Sequence, residues 1–141
     1  MTLAKILSTT PLQENPLLSE RYGANISLKR EDLQVVRSYK IRGALNKIST
    51  LNDEELTQGV VCASAGNHAQ GVAFSCNRLH VHAAIYMPTT TPRQKIEQVK
   101  MFGDSYVEVV LTGDTFDAAN AAAVAYAKES GKTFIPPFDD P

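Results

Sequence analysis

The sequence predicts an α/β protein built as an open three-layer sandwich around a mainly parallel sheet. Three observations lead there. Short, largely apolar runs recur at residues 59–63, 81–87 and 105–111, the pattern of strands covered on both faces. Each run opens into a longer stretch with apolar residues at helical spacing, so strand and helix alternate as they do in parallel βα units. Finally, 141 residues, 43% of them hydrophobic, suffice for a sizeable core in about one ordinary domain.

The first element expected is a strand at 25–29, where Ile26 and Leu28 alternate with Ser27 and Lys29 in the period of a half-buried strand. It ends in the charged run Lys29-Arg30-Glu31-Asp32. From Ser38 the spacing changes: Ile41, Ala44, Leu45 and Ile48 form an i, i+3, i+4, i+7 stripe, and Ser38 is placed to cap that helix. Tyr39 and Lys40 are thereby delivered at a helix N-terminus. The strand at 59–63 feeds a helix carrying Ala69, Val72, Ala73, Cys76 and Leu79. The one at 81–87 feeds a helix begun by Thr91 and Pro92, with Gln94 three residues after the expected cap and Gly103 as the stop. The third, at 105–111, feeds a helix over 114–130 that Gly131 ends, before a last strand at 132–135. Pro136-Pro137-Phe138-Asp139-Asp140-Pro141 is then a rigid exit with no helix to pair with it. Beyond the recurring βα unit there is no internal repeat and no low-complexity stretch.

Fourteen basic against fifteen acidic residues leave a formal charge of -1. With no basic block or acidic tail, nucleic acid and anionic lipid are poor partners and a small molecule is a better one. Apolar segments are short and broken by charges, and Met1 leads into Lys5 rather than a leader, so neither membrane insertion nor secretion is expected. Cys62 and Cys76 are the two cysteines, each in an apolar stretch, and read as buried free thiols suited to a reducing cytoplasm. His80 and His82 flank a helix-to-strand turn with no carboxylate or cysteine at ligand spacing. No metal site is expected, and both read as surface or packing residues. Tyr22, Tyr86, Tyr106 and Tyr126 read as core or half-buried rings. Neither G-x-G-x-x-G nor G-x-x-x-x-G-K-[ST] occurs, which removes the usual nucleotide sites of such a sheet.

Two segments carry candidate chemistry. In Ser38-Tyr39-Lys40-Ile41-Arg42-Gly43-Ala44, a lysine in the first turn of a helix feels the positive end of the macrodipole and the charge of Arg42, and both favour the neutral amine. A neutral amine forms Schiff bases with aldehydes, and Gly43 would let a flat cofactor approach the backbone. Taken alone, Lys40 and Arg42 fit a solvated helix start equally well. In Ser64-Ala65-Gly66-Asn67-His68-Ala69-Gln70-Gly71, a buried strand turns into a helix at the sheet edge where ligands bind. Successive N–H groups and the Ser64 hydroxyl would cradle a carboxylate or phosphate, and Asn67 offers a directed amide. An ordinary capped βα turn would have the same residues.

These two segments, with Leu28-Lys29-Arg30-Glu31-Asp32-Leu33-Gln34 before the first, resemble the cofactor-lysine signature and the substrate-binding turn of fold-type II pyridoxal-phosphate enzymes of the serine and threonine dehydratase group. The resemblance continues through Met87-Pro88-Thr89-Thr90-Thr91-Pro92-Arg93-Gln94-Lys95 and Gly113-Asp114-Thr115-Phe116-Asp117 to Pro137-Phe138-Asp139-Asp140-Pro141. It implies that Lys40 holds pyridoxal 5'-phosphate, with Tyr39 beside it in place of the more common phenylalanine. It also implies that Asn67 bonds the cofactor's ring hydroxyl, and that Ser64, Ala65, Gly66 and His68 surround the substrate carboxylate. The implied reaction is that of a threonine dehydratase, L-threonine to 2-oxobutanoate and ammonia on the way to isoleucine. Serine racemase and serine dehydratase share the signatures. The implied protein is a cytoplasmic homo-oligomer acting on an amino acid.

On this reading residues 1–50 belong partly to a larger domain, 51–135 form the small α/β domain, and 136–141 begin the return to the larger one. The glycine-rich phosphate loop and the residue facing the pyridine nitrogen fall in that missing domain. The chain is therefore expected to be a truncated form with little or no cofactor retention and no turnover of its own. A reading of another class is a non-catalytic α/β binding or oligomerisation module that keeps only the anion-binding turn.

Overall fold

The computed structural model describes residues 3–139; Met1, and Asp140 and Pro141 of the expected exit, lie outside the described residues. In chain order the elements are β1 (Leu12–Glu14), α1 (Pro16–Tyr22), β2 (Ser27–Lys29), α2 (Lys40–Thr50), α3 (Asp53–Gln58), β3 (Val60–Ala63), α4 (Asn67–Leu79), β4 (Ala83–Met87), α5 (Arg93–Gly103), β5 (Val107–Leu111), α6 (Phe116–Ser130) and β6 (Thr133–Phe134).

The main sheet has the order β5-β4-β3-β6, and every pairing in it is parallel. Continuous apolar runs are what this sheet demands, because both of its faces are covered. On one face Val60, Cys62, Ile85 and Met87 pack with Ala44 and Ile48 of α2, with Ala69, Val72, Ala73 and Cys76 of α4, and with Val99 of α5. On the other, Val61, Ala63, Ala84 and Tyr86 pack against Ala123 and Ala127 of α6. The expected three-layer sandwich is therefore realised. The stripe Ile41, Ala44, Leu45 and Ile48 is wholly buried, its first and third members joining Leu7 and Val36 in a smaller cluster.

Strand order runs outward from β3 through β4 to β5 and then returns to β6 on the other flank of β3. Such a reversal opens a crevice at the carboxyl ends of the two strands beside it. Residues 64–66 leave β3 there, and 135–138 leave β6.

Several local expectations are corrected. The strand expected at 25–29 is shorter, and β2 pairs antiparallel with β1 in a separate two-stranded ribbon. With no layer over it, the alternation is not converted into burial, and all three residues of β2 are exposed. Ser38 does not cap α2: Tyr39 takes the cap position with helical dihedrals, and the buried Ser38 Oγ has no partner. Thr91 likewise makes no cap bond, since α5 begins after Pro92 and Thr91 Oγ1 is buried without a partner. Tyr22 is not a core ring; it is 63% exposed with the Arg21 guanidinium 5.6 Å over its face. The other three tyrosines are buried or half-buried. His80 and His82 pack on Tyr106, each ring centroid 5.3 Å from it. Both cysteines are buried and free, and burial pushes the Cys76 thiol up to about 12 and raises that of Cys62 as well. Among the described residues no cluster of three or more His, Cys, Asp or Glu is placed to hold a metal ion. None of their helices is long and apolar enough to cross a membrane.

Gly103, expected as the stop of α5, is its last residue with helical dihedrals, and Asp104 takes the cap; the helix expected over 114–130 starts at Phe116, while its Gly131 end is realised. Thr115 Oγ1 accepts the Ala118 N–H at 3.2 Å to cap α6, and Gly131 ends it in the left-handed conformation. The short α3, which apolar periodicity does not announce, is held by a reciprocal capping box: Asn52 Oδ1 accepts the Glu55 N–H at 3.0 Å, and Glu55 Oε2 accepts the Asn52 N–H at 2.9 Å. Asn52→Ala is expected to cost about 1 kcal/mol, read as a lower urea midpoint. An unchanged midpoint would mean that the box does not hold α3.

Candidate active site

The site lies in the crevice at the β3/β6 reversal. Helix α2 delivers Lys40 at its first position, the turn after β3 delivers Ser64, and α4 opens with Asn67 and His68. From the far side come Phe116, the first residue of α6, and Pro137 and Phe138, which follow β6. Lys40, Ser64, Asn67, His68, Phe116, Pro137 and Phe138 line one cavity of about 290 Å³. A second cavity, of about 510 Å³, shares Lys40, His68, Pro137 and Phe138 and runs along α2 past Tyr39, Gly43 and Asn46.

Lys40 is half-buried. Its amine donates to the Pro137 carbonyl and stands 4.7 Å from the Phe138 ring centroid and 5.8 Å from that of Tyr39, favourable positions for a cation over an aromatic face. Arg42 does not act on Lys40 as a free charge, as the sequence suggests it should. Its Nε and Nη2 donate to Glu31 Oε2 and Oε1 at 2.7 and 2.8 Å, and the same carboxylate accepts from Thr10 Oγ1 at 2.5 Å. The guanidinium holds the Glu31 carboxyl down at about 2, against an ordinary 4.5. This network ties the start of α2 to the N-terminal segment.

In the turn, Ser64 Oγ accepts the Gly66 N–H at 3.1 Å, so part of the expected cradle is folded back on the hydroxyl. Ala65 and Gly66 are half-buried and line neither cavity. Asn67 is exposed to the crevice. His68 is buried, with its Nε2 3.0 Å from the Ile135 carbonyl oxygen. That pairing requires the Nε2–H form, which donates. Burial is the main cause that lowers its pKa; the Ile135 carbonyl opposes the shift and the charge of Lys40 adds to it. His68 is thus a neutral residue that joins the turn to the exit from β6.

Of the residues singled out in the sequence, the structure brings Lys40, Ser64, Asn67 and His68 around one cavity and places Tyr39 beside Lys40 in the neighbouring one. The sequence motifs assign no role there to Phe116, Pro137 and Phe138. Their signal is positional, since each lies in a loop or helix start just beyond the carboxyl end of a strand, where α/β sheets build sites. An amine, an amide and a hydroxyl around one cavity with aromatic rings at its edge form a donor set that fits a flat aldehyde cofactor with a ring hydroxyl. On the α2 side, a Cβ at Gly43 would meet nothing within 4 Å, which leaves room over that helix start.

A family model described as pyridoxal-phosphate dependent enzyme matches residues 3–141. A biosynthetic L-threonine dehydratase from Halalkalibacterium halodurans is 62% identical over 138 residues, which are 98% of this chain and 33% of that protein. Among solved structures, the processed form of threonine deaminase isoform 2 from Solanum lycopersicum superposes with a TM-score of 0.89 at 50% identity, covering 96% of this chain and 38% of the other. A serine racemase from Dictyostelium discoideum superposes with a TM-score of 0.85 at 30% identity, covering 96% and 43%. The chain spans about a third of the length of the curated relatives it matches.

Proposed function

The chain belongs to the family of pyridoxal-phosphate dependent enzymes, and from that premise we propose that it forms the lysine-bearing part of the active site of an L-threonine dehydratase. The reaction proposed for the whole enzyme takes L-threonine to 2-oxobutanoate and ammonia. The carrying observation is that Lys40 shares one cavity with Ser64, Asn67 and His68 at the β3/β6 reversal.

Pyridoxal phosphate, when bound, supplies an electron sink for the charge left at the substrate Cα. Lys40 Nζ is the amine that would hold the cofactor and, when free, would take the Cα proton. Asn67, which lines the same cavity, would offer its amide to the ring hydroxyl, and Tyr39 places a ring beside the lysine. Ser64 and His68, which line the cavity, and Ala65 and Gly66 of the turn would form the carboxylate side: the backbone N–H groups at the start of α4 that Ser64 Oγ does not take favour an anion, and neutral His68 keeps that wall attached to Ile135. Pro137 and Phe138, lying over Lys40, help to exclude water.

Identities of 62% and 50% to threonine enzymes, against 30% to a serine racemase, favour threonine over serine. A non-catalytic module would account for the anion turn and leave the placement of Lys40 without a use. We place residues 1–50 partly with a larger domain of the whole protein, and we read that protein as a cytoplasmic homo-oligomer. Exposed Leu12, Leu17, Leu28 and Val35 are the apolar surface that such a domain would cover.

The test is reductive trapping. The purified chain is mixed with pyridoxal phosphate, reduced with borohydride, digested, and the labelled lysines are mapped by mass. Label concentrated on Lys40 over exposed lysines such as Lys95 is the expected result. Label spread evenly over surface lysines, with Lys40 spared, would overturn the assignment.

A further inference from the structure

The motif Ser64-Ala65-Gly66-Asn67-His68-Ala69-Gln70-Gly71 contains two glycines with opposite surroundings. A Cβ built on Gly66 would meet nothing within 4 Å. On Gly71 it would stand 3.1 Å from Ile41 N, 3.1 Å from Lys40 C and 3.2 Å from Lys40 O. All three are backbone atoms of the first two residues of α2, so no flexible side chain can move aside. Gly71 is buried in the second turn of α4, four residues after Asn67 and therefore on the same helix face. Ser75, fully buried, donates its hydroxyl to the Gly71 carbonyl at 2.7 Å, and His68 anchors the preceding turn to Ile135 at 3.0 Å. The Ser75 bond lies within α4, and the His68 bond ties the start of α4 to the exit from β6, one turn before the place where it presses on the backbone of Lys40.

We propose that Gly71 is a positioning residue, the side-chain-free contact that sets how far the Lys40 amine stands from Asn67 and the turn at 64–68. The proposal rests on Lys40 being the cofactor lysine. A methyl group at Gly71 forces the start of α2 away from α4 by a few tenths of an ångström and moves Lys40 relative to the cavity. The last glycine of the motif therefore acts on the lysine side of the site, through the backbone, while Gly66 belongs to the turn.

The experiment compares Gly71→Ala with the native chain by the same borohydride trapping, scored as the ratio of label on Lys40 to label on Lys95 within each molecule. Asn52→Ala serves as a control destabilised far from Lys40. In folded Gly71→Ala the ratio is expected to fall about tenfold, since misplacement of a reacting group by 1 Å costs about a hundredfold and the shift here is a few tenths of that, with the control unchanged. An unchanged ratio in a folded, merely less stable Gly71→Ala chain overturns the positioning role and leaves the cofactor lysine standing. A native chain that shows no preference for Lys40 overturns both. Because the variant can fail to fold, the native chain supplies a second readout: amide NMR shifts before and after trapping. Movement of the Gly71 and Ile41 signals with Gly103 unmoved supports the contact, and a silent Gly71 overturns it.

Discussion

Gly59→Ala is expected to lower stability by about 3–5 kcal/mol, a large fraction of what a domain of this size has to spare. Gly59 joins α3 to β3 with φ +88° and ψ -178°, a region open in practice to glycine alone and worth about 1–3 kcal/mol of strain for any other residue. The new methyl would also lie 2.5 Å from the His82 carbonyl oxygen and 3.2 Å from Lys132 Nζ. That carbonyl cannot retreat freely, because it accepts the Val60 N–H at 2.9 Å, and the Gly59 carbonyl accepts the Thr133 N–H at 3.2 Å. These bonds start the register of β3 on both neighbours, so relieving the clash loosens β4, β3 and β6 together and adds about 1–3 kcal/mol of overpacking. Urea unfolding followed by far-UV circular dichroism checks this. A loss below about 1 kcal/mol, the size of an average substitution, would show that the turn adapts and that the register is set elsewhere.

The same strands show what the sequence makes legible. Val60, Val61, Cys62 and Ala63 are all fully buried, and a continuous apolar run can mean only a strand covered on both faces or a buried helix segment; the glycine before it and the helical stripe after it decide for the strand. The α2 stripe is legible for the same reason, since apolar spacing records burial directly. What is not legible is where a side-chain oxygen goes. Ser38 and Thr91 stand at cap positions by type, yet Tyr39 has helical dihedrals and Pro92 intervenes before α5, so both hydroxyls miss the amides they would accept from. Backbone dihedrals at a boundary depend on tertiary packing, and residue type alone does not encode them. The ribbon of β1 and β2 fails differently: its alternation has no layer to face. The site divides along the same line. Lys40 and the turn at 64–71 are local signals, whereas Phe116, Pro137 and Phe138 enter the cavity only because β6 lies beside β3, a pairing between residues about seventy positions apart in sequence.

Glu31→Gln gives the second large effect, together with a pH dependence of definite sign. Glu31 Oε1 and Oε2 accept from Thr10 Oγ1, Arg42 Nε and Arg42 Nη2 at 2.5, 2.7 and 2.8 Å, and from Gln34 Nε2 at 3.4 Å. A carboxylate is all acceptor and suits four donors; an amide turns its NH2 toward at least one of them. Hydrogen bonds to charged groups contribute about 1.5–3 kcal/mol. The Arg42 side chain is 42% exposed and the Glu31 side chain 15%, so water recovers part of the loss and about 2 kcal/mol is expected. The folded carboxyl titrates at about 2, below its ordinary 4.5. A depressed value stabilises the fold above the unfolded pKa, and that stabilisation drains away as pH falls from 4.5 through 2. Stability curves of the native chain and Glu31→Gln should thus differ by about 2 kcal/mol near pH 6 and converge toward about pH 2. A gap that stays constant on acidification would mean that the pair is not the source of the stability. Because Arg42 lies two residues beyond Lys40 in α2, the same titration should loosen the helix start that carries the cofactor amine, and trapping at Lys40 in Glu31→Gln should lose selectivity even at neutral pH.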